Sequence, residues 1–102
     1  MALRPISVAA LKLKIENQHA FTLLDVRREA AKVENPSLIA HAQWLNPAAW
    51  LDWKDTIASD KPVVVYCAKG HEISQAMTAC LCALGIDAVY LEGGMAAWQS
   101  GT

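Results

Sequence analysis

The chain has 102 residues, of which 54% are hydrophobic and 19% are charged, and its formal net charge at pH 7 is −1. This composition predicts one globular domain over residues 1–102 and excludes a disordered chain, and the small net charge gives no basic surface for nucleic acid or an anionic membrane. No apolar run reaches the roughly 18 residues of a membrane-spanning helix. Because Pro5 interrupts the start too early for a signal-peptide core, we expect a cytoplasmic protein.

The first half of the chain predicts alternating helices and strands. Ser7 is a typical helix cap, and a proline directly after Asn46 is typical of a helix start. The apolar run Phe21–Val26 has no helical spacing and predicts a buried strand. In chain order we expect a helix over residues 7–17, a strand over 21–26, a short helix from 28 that ends at Asn35-Pro36, a brief strand over 40–45 and a helix from 47.

The second half continues this alternation. We expect a strand over Val63–Tyr66, a helix from about Ile73 that Gly85 ends, a strand over Asp87–Leu91 and a final helical turn over Met95–Trp98. One face of the long helix is apolar and comprises Ile73, Ala76, Met77, Cys80, Leu81 and Leu84. This phase assigns Cys80 to the core and Cys82 to the opposite face. Strands that alternate with helices predict an α/β fold, a mostly parallel sheet with helices on both faces.

The segment from Val63 to Ser74 places a cysteine between a strand and a glycine-containing loop that leads into a helix. N–H groups at a helix N-terminus stabilise negative charge, so Cys67 is a candidate nucleophile held as a thiolate or another sulfur anion. Since parallel strands end at one edge of a sheet, we expect Asp25–Arg28 and Glu92–Gly94 to lie near Cys67. The three cysteines have no zinc spacing and cannot pair completely, so we expect reduced thiols and no metal or cofactor.

Three motifs, in this order, resemble those of the single-domain rhodaneses (thiosulfate sulfurtransferases): Leu23–Arg27, Val63–Gly70, and Leu91–Gly94 with Trp98. The resemblance covers nearly the whole chain and implies a rhodanese-like sheet of about five parallel strands. It implies that Cys67 takes sulfur from a small donor, thiosulfate or a persulfide, and carries it as a persulfide. The acceptor would be cyanide, a thiol or a protein. The resemblance also implies that Asp25 braces the loop after Cys67 without reacting.

The loop after Cys67 departs from the family pattern. Glu72 stands where an arginine or a small polar residue is usual, and the distance from Cys67 to Gly85 is one residue longer than is common. We place the extra residue in the loop, which then spans Cys67–Ile73 with Ser74 at the helix start. The expected persulfide cradle comprises Ala68, Lys69, Gly70, His71, Glu72, Ile73 and Ser74. A longer loop is typical of related phosphatases and arsenate reductases, but these need an arginine where this chain has Ile73, so that activity is disfavoured.

The charged residues of this region leave several roles open. Lys69 and His71 either attract an anionic donor and stabilise a thiolate or point into solvent. Glu72 has four candidate roles: it neutralises Lys69, it pairs with Arg27 or Arg28, it selects a neutral or cationic donor, or it is a solvated acid at a helix start.

Two further alternatives concern positive charge and partners. Arg27 and Arg28 either supply charge to the pocket or pair with Glu92. Three tryptophans either pack in the hydrophobic core or form an exposed patch for a partner, namely Trp44, Trp50 and Trp53. A partner patch together with Glu72 would suit a non-catalytic or regulatory binding module, which is the main alternative to a sulfurtransferase.

Overall fold

A parallel sheet forms the centre of the fold. The computed structural model describes residues 3–100, and within them the strands are β1 (Pro5–Ile6), β2 (Thr22–Asp25), β3 (Gln43–Trp44), β4 (Val63–Tyr66) and β5 (Ala88–Leu91). Their spatial order is β1–β5–β4–β2–β3, and every neighbouring pair is parallel. The expected five-stranded parallel sheet is therefore confirmed.

Helices connect these strands. They are α1 (Val8–Glu16), α2 (Glu29–Glu34), α3 (Trp50–Trp53), α4 (Glu72–Ala83) and α5 (Gly94–Ser100), and short 3₁₀ turns over Pro47–Ala49 and Lys54–Thr56 flank α3. The two expected caps are present, since Ser7 Oγ accepts from the N–H of Ala10 and Asn46 Oδ1 accepts from the N–H of Ala48, each at 3.0 Å. Both caps satisfy donors that the first turn of a helix leaves without partners.

β4 divides the core into two layers because its four residues are all fully buried and alternate between the two faces of the sheet. Val63 and Val65 pack on the face covered by α3 and α4, where Trp53 and Leu81 complete the cluster. The alternate residues of β4 pack on the other face with residues of α1 and α5, namely Val8, Leu11 and Met95. Continuous apolar sequence in β4 is thus explained by burial on both sides.

The carboxyl ends of the central strands lie together at one edge of the sheet. Asp25 pairs in register with Tyr66, and Val65 pairs with Tyr90, so β2, β4 and β5 end within about a residue of one another. The segments that follow these strands therefore meet, as the parallel topology predicts.

Two elements differ from the expectation. β1 was not predicted, because a two-residue strand that contains Pro5 is too short to give a period-two pattern. The helix expected from position 47 is a 3₁₀ turn followed by the four-residue α3. The final helix, in contrast, extends beyond the expected turn to Ser100.

The predicted phase of α4 is wrong for its cysteines. The fully buried residues of this helix are Ser74, Thr78 and Leu81, and both Cys80 and Cys82 are only partly buried. Cys82 is the cysteine that packs against the core, and its Sγ lies 3.5 Å from the carbonyl oxygen of Ala88. The helix is rotated toward its small polar residues because Ser74 contacts the cysteine at the end of β4, a contact that hydrophobic periodicity does not register.

Candidate active site

Cys67 follows β4 directly and lines a cavity of about 410 Å³. The Cys67 side chain is recessed, since only 6% of the residue is exposed. One wall of the cavity is formed by the segment after β4, namely Cys67, Ala68, Lys69, His71, Glu72 and Ile73, and the opposite wall by Arg27, Arg28 and Ala31. Of the residues expected near Cys67, Arg27, Arg28 and five of the seven cradle residues line this cavity, whereas Asp25 and Glu92 do not.

Residues of α4 and α5 donate hydrogen bonds to the carbonyl groups of the loop. The N–H groups of Met95 and Ala96, in the first turn of α5, donate to the carbonyl oxygens of Cys67 and Ala68, each at 2.9 Å. The carbonyl of Gly70 accepts from Gln75 Nε2 at 3.0 Å. The turn into α5 thus fixes the loop, a role that sequence analysis missed although the glycine pair after β5 was a signal for a close backbone approach.

Two glycines allow that approach. Gly70 and Gly94 both have positive φ, at 73° and 58°. A Cβ added to Gly70 would lie 2.7 Å from the nitrogen of Gly93, and one added to Gly94 would overlap the Cys67 carbonyl oxygen. Since real side chains do not reach such contacts, the loop and α5 can pack together only with glycine at both positions.

The loop N–H groups remain available to a ligand. Within residues 3–100, no protein atom accepts a hydrogen bond from the backbone N–H groups of residues 68–74. These groups precede and begin α4, whose dipole adds positive potential at the same place. The arrangement is suited to a bound anion, because N–H groups at a helix N-terminus that have no protein acceptor can bind an anionic ligand.

The loop is shorter than expected. α4 begins at Glu72 with His71 as its N-cap, so Glu72, Ile73 and Ser74 form its first turn and do not belong to an extended loop. The expected loop boundary at Ile73 is therefore wrong, although the seven residues stay next to Cys67.

Ser74 is the side chain in direct contact with the sulfur. Its Oγ lies 3.2 Å from Cys67 Sγ, and Ser74 is fully buried. The hydroxyl accepts from the thiol and can donate to a thiolate, because a serine rotor is both donor and acceptor. This hydrogen bond gives the sulfur a partner that can stabilise an anion.

Asp25 and Arg27 form a buried pair. Arg27 Nη2 lies 2.7 Å from Asp25 Oδ2, its Nε lies within 3.0 Å of both carboxylate oxygens, and its backbone N–H also donates to Oδ1. The guanidinium further donates to the carbonyls of Asn35 and Ser37, each at 2.7 Å. The Asp25 side chain thus braces Arg27 and not the loop after Cys67, which corrects the expectation. The sequence contains a signal for this pair, because Asp25 and Arg27 are two positions apart and such residues share a face in an extended segment.

The remaining charges of the cavity are unpaired. Within residues 3–100, the side chains of Arg28, Lys69, His71 and Glu72 form no salt bridge or hydrogen bond, and all four residues are exposed. Glu72 therefore pairs with none of the cations considered from sequence, and Arg27 pairs with Asp25 and not with Glu92. The cavity presents two free cations and one free carboxylate to a ligand.

The tryptophans serve packing. Trp53 is buried and meets the ring of Trp50 edge-on at 4.8 Å between centroids. The Trp53 indole N–H donates to the carbonyl of Asn46 at 2.8 Å, and that of Trp44 donates to the carbonyl of Arg27 at 2.9 Å. Aromatic rings with satisfied N–H groups favour packing over an exposed partner patch.

No cluster of three or more histidine, cysteine, aspartate or glutamate side chains within residues 3–100 is arranged to hold a metal ion. None of the helices in that range combines the length and apolar character required to cross a membrane.

Comparison with known proteins gives matches over the whole domain. The family described as "Rhodanese-like domain" matches residues 7–101. The chain is 34% identical over 104 residues to the Bacillus subtilis (strain 168) protein named "Putative sulfurtransferase YtwF", covering 100% of this chain and 96% of the other.

Solved structures of rhodanese-related proteins are also similar to this chain over most of its length. A rhodanese-related protein from Thermoplasma volcanium is 30% identical with a TM-score of 0.82, and the match covers 96% of this chain and 92% of that one. A rhodanese-like domain protein from Staphylococcus aureus is 28% identical with a TM-score of 0.83, and the match covers 94% and 91% of the two chains. The resemblance inferred from three short motifs is confirmed.

Proposed function

The chain belongs to the rhodanese-like family, and from that premise we propose that it is a sulfurtransferase that carries sulfur on Cys67 as a persulfide. The observation that carries this proposal is the setting of the Cys67 sulfur. It lies recessed at the cavity and is hydrogen-bonded to Ser74, and the segment that follows it, residues 68–74, has N–H groups for which no acceptor exists within residues 3–100. Such a setting stabilises a thiolate and, after reaction, a persulfide anion.

Sulfur transfer proceeds in two displacements. The Cys67 thiolate attacks the outer sulfur of thiosulfate, a new S–S bond forms, and the original S–S bond breaks as sulfite leaves with the electron pair. An acceptor thiolate or cyanide then attacks the outer sulfur of the persulfide, and Cys67 leaves as thiolate. The cycle is redox-neutral and needs no cofactor, and we place it in the cytoplasm, where free thiols such as the three of this chain persist.

Phosphatase or arsenate reductase chemistry is not proposed. Position 73 is isoleucine, and Arg27, which also lines the cavity, already has its guanidinium bound to Asp25 and two carbonyls. A tetrahedral oxyanion would lack the bidentate arginine clamp that such transition states require. Absence of turnover with arsenate and an aryl phosphate is the expected result.

Intact-mass spectrometry tests the sulfurtransferase. The folded protein is incubated with thiosulfate, and the mass of one sulfur atom is expected to be added, then lost as cyanide becomes thiocyanate. Cys67→Ser should take up none, whereas Cys80→Ser, which changes another partly buried thiol, should behave as the wild type. A folded wild type that accepts sulfur from neither thiosulfate nor an alkyl persulfide contradicts the proposal. The alternative, a non-catalytic binding module, would then be favoured.

A further inference from the structure

Glu72 is the residue of the cavity that the proposed reaction does not explain. It is the first residue of α4, it is exposed, and it lines the same cavity as Cys67. The helix dipole stabilises a carboxylate at this position without help from a cation, and within residues 3–100 Glu72 has no ion pair. Its charge is therefore free to act on a ligand.

That charge opposes thiosulfate. Thiosulfate is a dianion, and a carboxylate at the cavity wall repels it during approach to the recessed sulfur. Opposite-charge attraction makes the same carboxylate favourable for a donor that carries an ammonium group. Glu72 thus acts on donor choice and not on the displacement itself.

The space near Cys67 is larger than thiosulfate needs. The cavity of about 410 Å³ lies within the range of about 300–1,000 Å³ that is usual for small organic ligands. A second cavity of about 390 Å³ adjoins it and shares four lining residues with it, namely Arg27, Ala31, Ala68 and Lys69. An organic donor of the size of an amino acid or a short peptide fits this space.

The free charges define the polar groups of such a donor. Lys69 and Arg28 are exposed cations that form no salt bridge within residues 3–100, and both line the cavity of Cys67. A carboxylate suits them, as an ammonium group suits Glu72. A sulfur donor that carries both an ammonium group and a carboxylate is the persulfide of an amino-acid thiol.

We propose that Glu72 selects, as sulfur donor, a low-molecular-weight persulfide of the amino-acid thiol class over thiosulfate, an inference that rests on the proposed function. The Cys67 thiolate attacks the outer sulfur of the donor R–S–SH, the Cys67–S bond forms, and the donor S–S bond breaks. The thiolate R–S⁻ leaves with the electron pair and takes a proton from water, so the step is redox-neutral.

The test compares three donors and two proteins. Second-order rate constants for sulfur loading of Cys67 are measured with cysteine persulfide, with the persulfide of 3-mercaptopropionate, which lacks the ammonium group, and with thiosulfate. In the wild type, loss of the ammonium group should lower the rate constant about three- to tenfold beyond the difference set by the two leaving thiols, as expected for one charge pair in a solvated cavity. In Glu72→Gln the ratio of the two persulfide rate constants should fall by this factor, and thiosulfate should react several-fold faster than with the wild type.

Matched controls separate this idea from the proposed function. Glu16→Gln removes one exposed carboxylate at the end of α1 and should leave all three rate constants unchanged. Equal discrimination between the two persulfides in wild type and Glu72→Gln overturns the inference while sulfur transfer stands. A folded protein with a surface cysteine persulfide that loads Cys67 faster than cysteine persulfide also overturns it. Failure of every donor rejects the proposed function itself.

Discussion

At the residue scale, the contact between Cys67 Sγ and Ser74 Oγ has the most direct effect on the sulfur. The two atoms lie 3.2 Å apart, and Ser74 has no exposed surface. A hydroxyl that donates to a buried anion contributes more than one that donates to a neutral group, since a charge-assisted hydrogen bond is worth about 1.5–3 kcal/mol. In the proposed reaction, the serine would therefore position the sulfur and stabilise the thiolate and the persulfide.

Ser74→Ala should slow sulfur loading without unfolding the protein. Loss of one charge-assisted hydrogen bond is expected to lower the second-order rate constant with thiosulfate about tenfold or more at neutral pH. The measurement is the rate of mass gain on Cys67, with thermal unfolding recorded in parallel. An unchanged rate constant would mean that the backbone N–H groups alone stabilise the anion.

Thr78→Val is the matched control on the same helix. Thr78 is also fully buried, but its Oγ1 has no hydrogen-bond partner within residues 3–100. Replacing an unpaired buried hydroxyl by a methyl group should raise the free energy of unfolding by about 1 kcal/mol and leave sulfur loading unchanged. Slower loading in this variant would indicate that Thr78 also acts on the sulfur.

At the element scale, the first turn of α5 acts as the support of the loop after Cys67. The N–H groups of Met95 and Ala96 hold the carbonyls of Cys67 and Ala68, and this contact requires that Gly94 have no side chain. The loop is thereby shaped by a segment that lies over twenty residues away in the chain.

Gly94→Ala should therefore damage both stability and sulfur loading. The added Cβ would overlap the Cys67 carbonyl and lie 2.6 Å from the nitrogen of Gly70, so the loop must move at a cost of about 3 kcal/mol. Gly85→Ala is the control, since Gly85 has φ of 85° but no atom within 4 Å of an added Cβ. It should cost only about 1 kcal/mol of left-handed strain and leave loading unchanged. Equal loading rates in both variants would contradict the support role of α5.

Periodicity and turn chemistry predicted the elements but not their contacts. Val63–Tyr66 was predicted with its observed bounds because a short run of successive apolar residues is typical of a strand that is buried on both faces. Gly85 directly follows the C-cap residue of α4 and has a positive φ, which favours glycine at this position. The phase of α4 was missed because two buried polar residues, Ser74 and Thr78, count against a core face in any hydrophobic pattern.

The site was predictable where it depends on topology. The strand order brings Cys67, Arg28 and Glu72 to one cavity, as the shared edge of a parallel sheet implies. The partner of Asp25 was missed although its spacing from Arg27 was a signal, because other donors follow the same strand ends and only the packed structure selects among them. Burial of this ion pair makes it specific but costly to break.

At the scale of the whole molecule, the two core layers meet at β4, and Tyr66 carries its hydroxyl into the layer that α1 and α5 cover. It is fully buried, and its hydroxyl oxygen accepts from the N–H of Ile39 at 3.3 Å. Burial raises the pKa of Tyr66 above its ordinary value of 10.0, and the Asp25 carboxylate raises it further, whereas the Ile39 N–H and the Arg27 charge lower it; the net shift is upward.

This shift links folding to alkaline pH. The folded state keeps the Tyr66 proton, whereas the unfolded chain releases it above about pH 10, so the stabilisation is complete below that pH and is lost as pH rises. We expect the free energy of unfolding, measured by urea titration between about pH 8 and pH 11, to fall more steeply in the wild type than in Tyr66→Phe, by up to about 1.4 kcal/mol per pH unit. At neutral pH the variant should be about 1 kcal/mol less stable, because the buried N–H of Ile39 loses its acceptor. The two curves should thus approach each other above about pH 10; parallel curves would show that Tyr66 ionises as easily in the folded protein as in the unfolded chain.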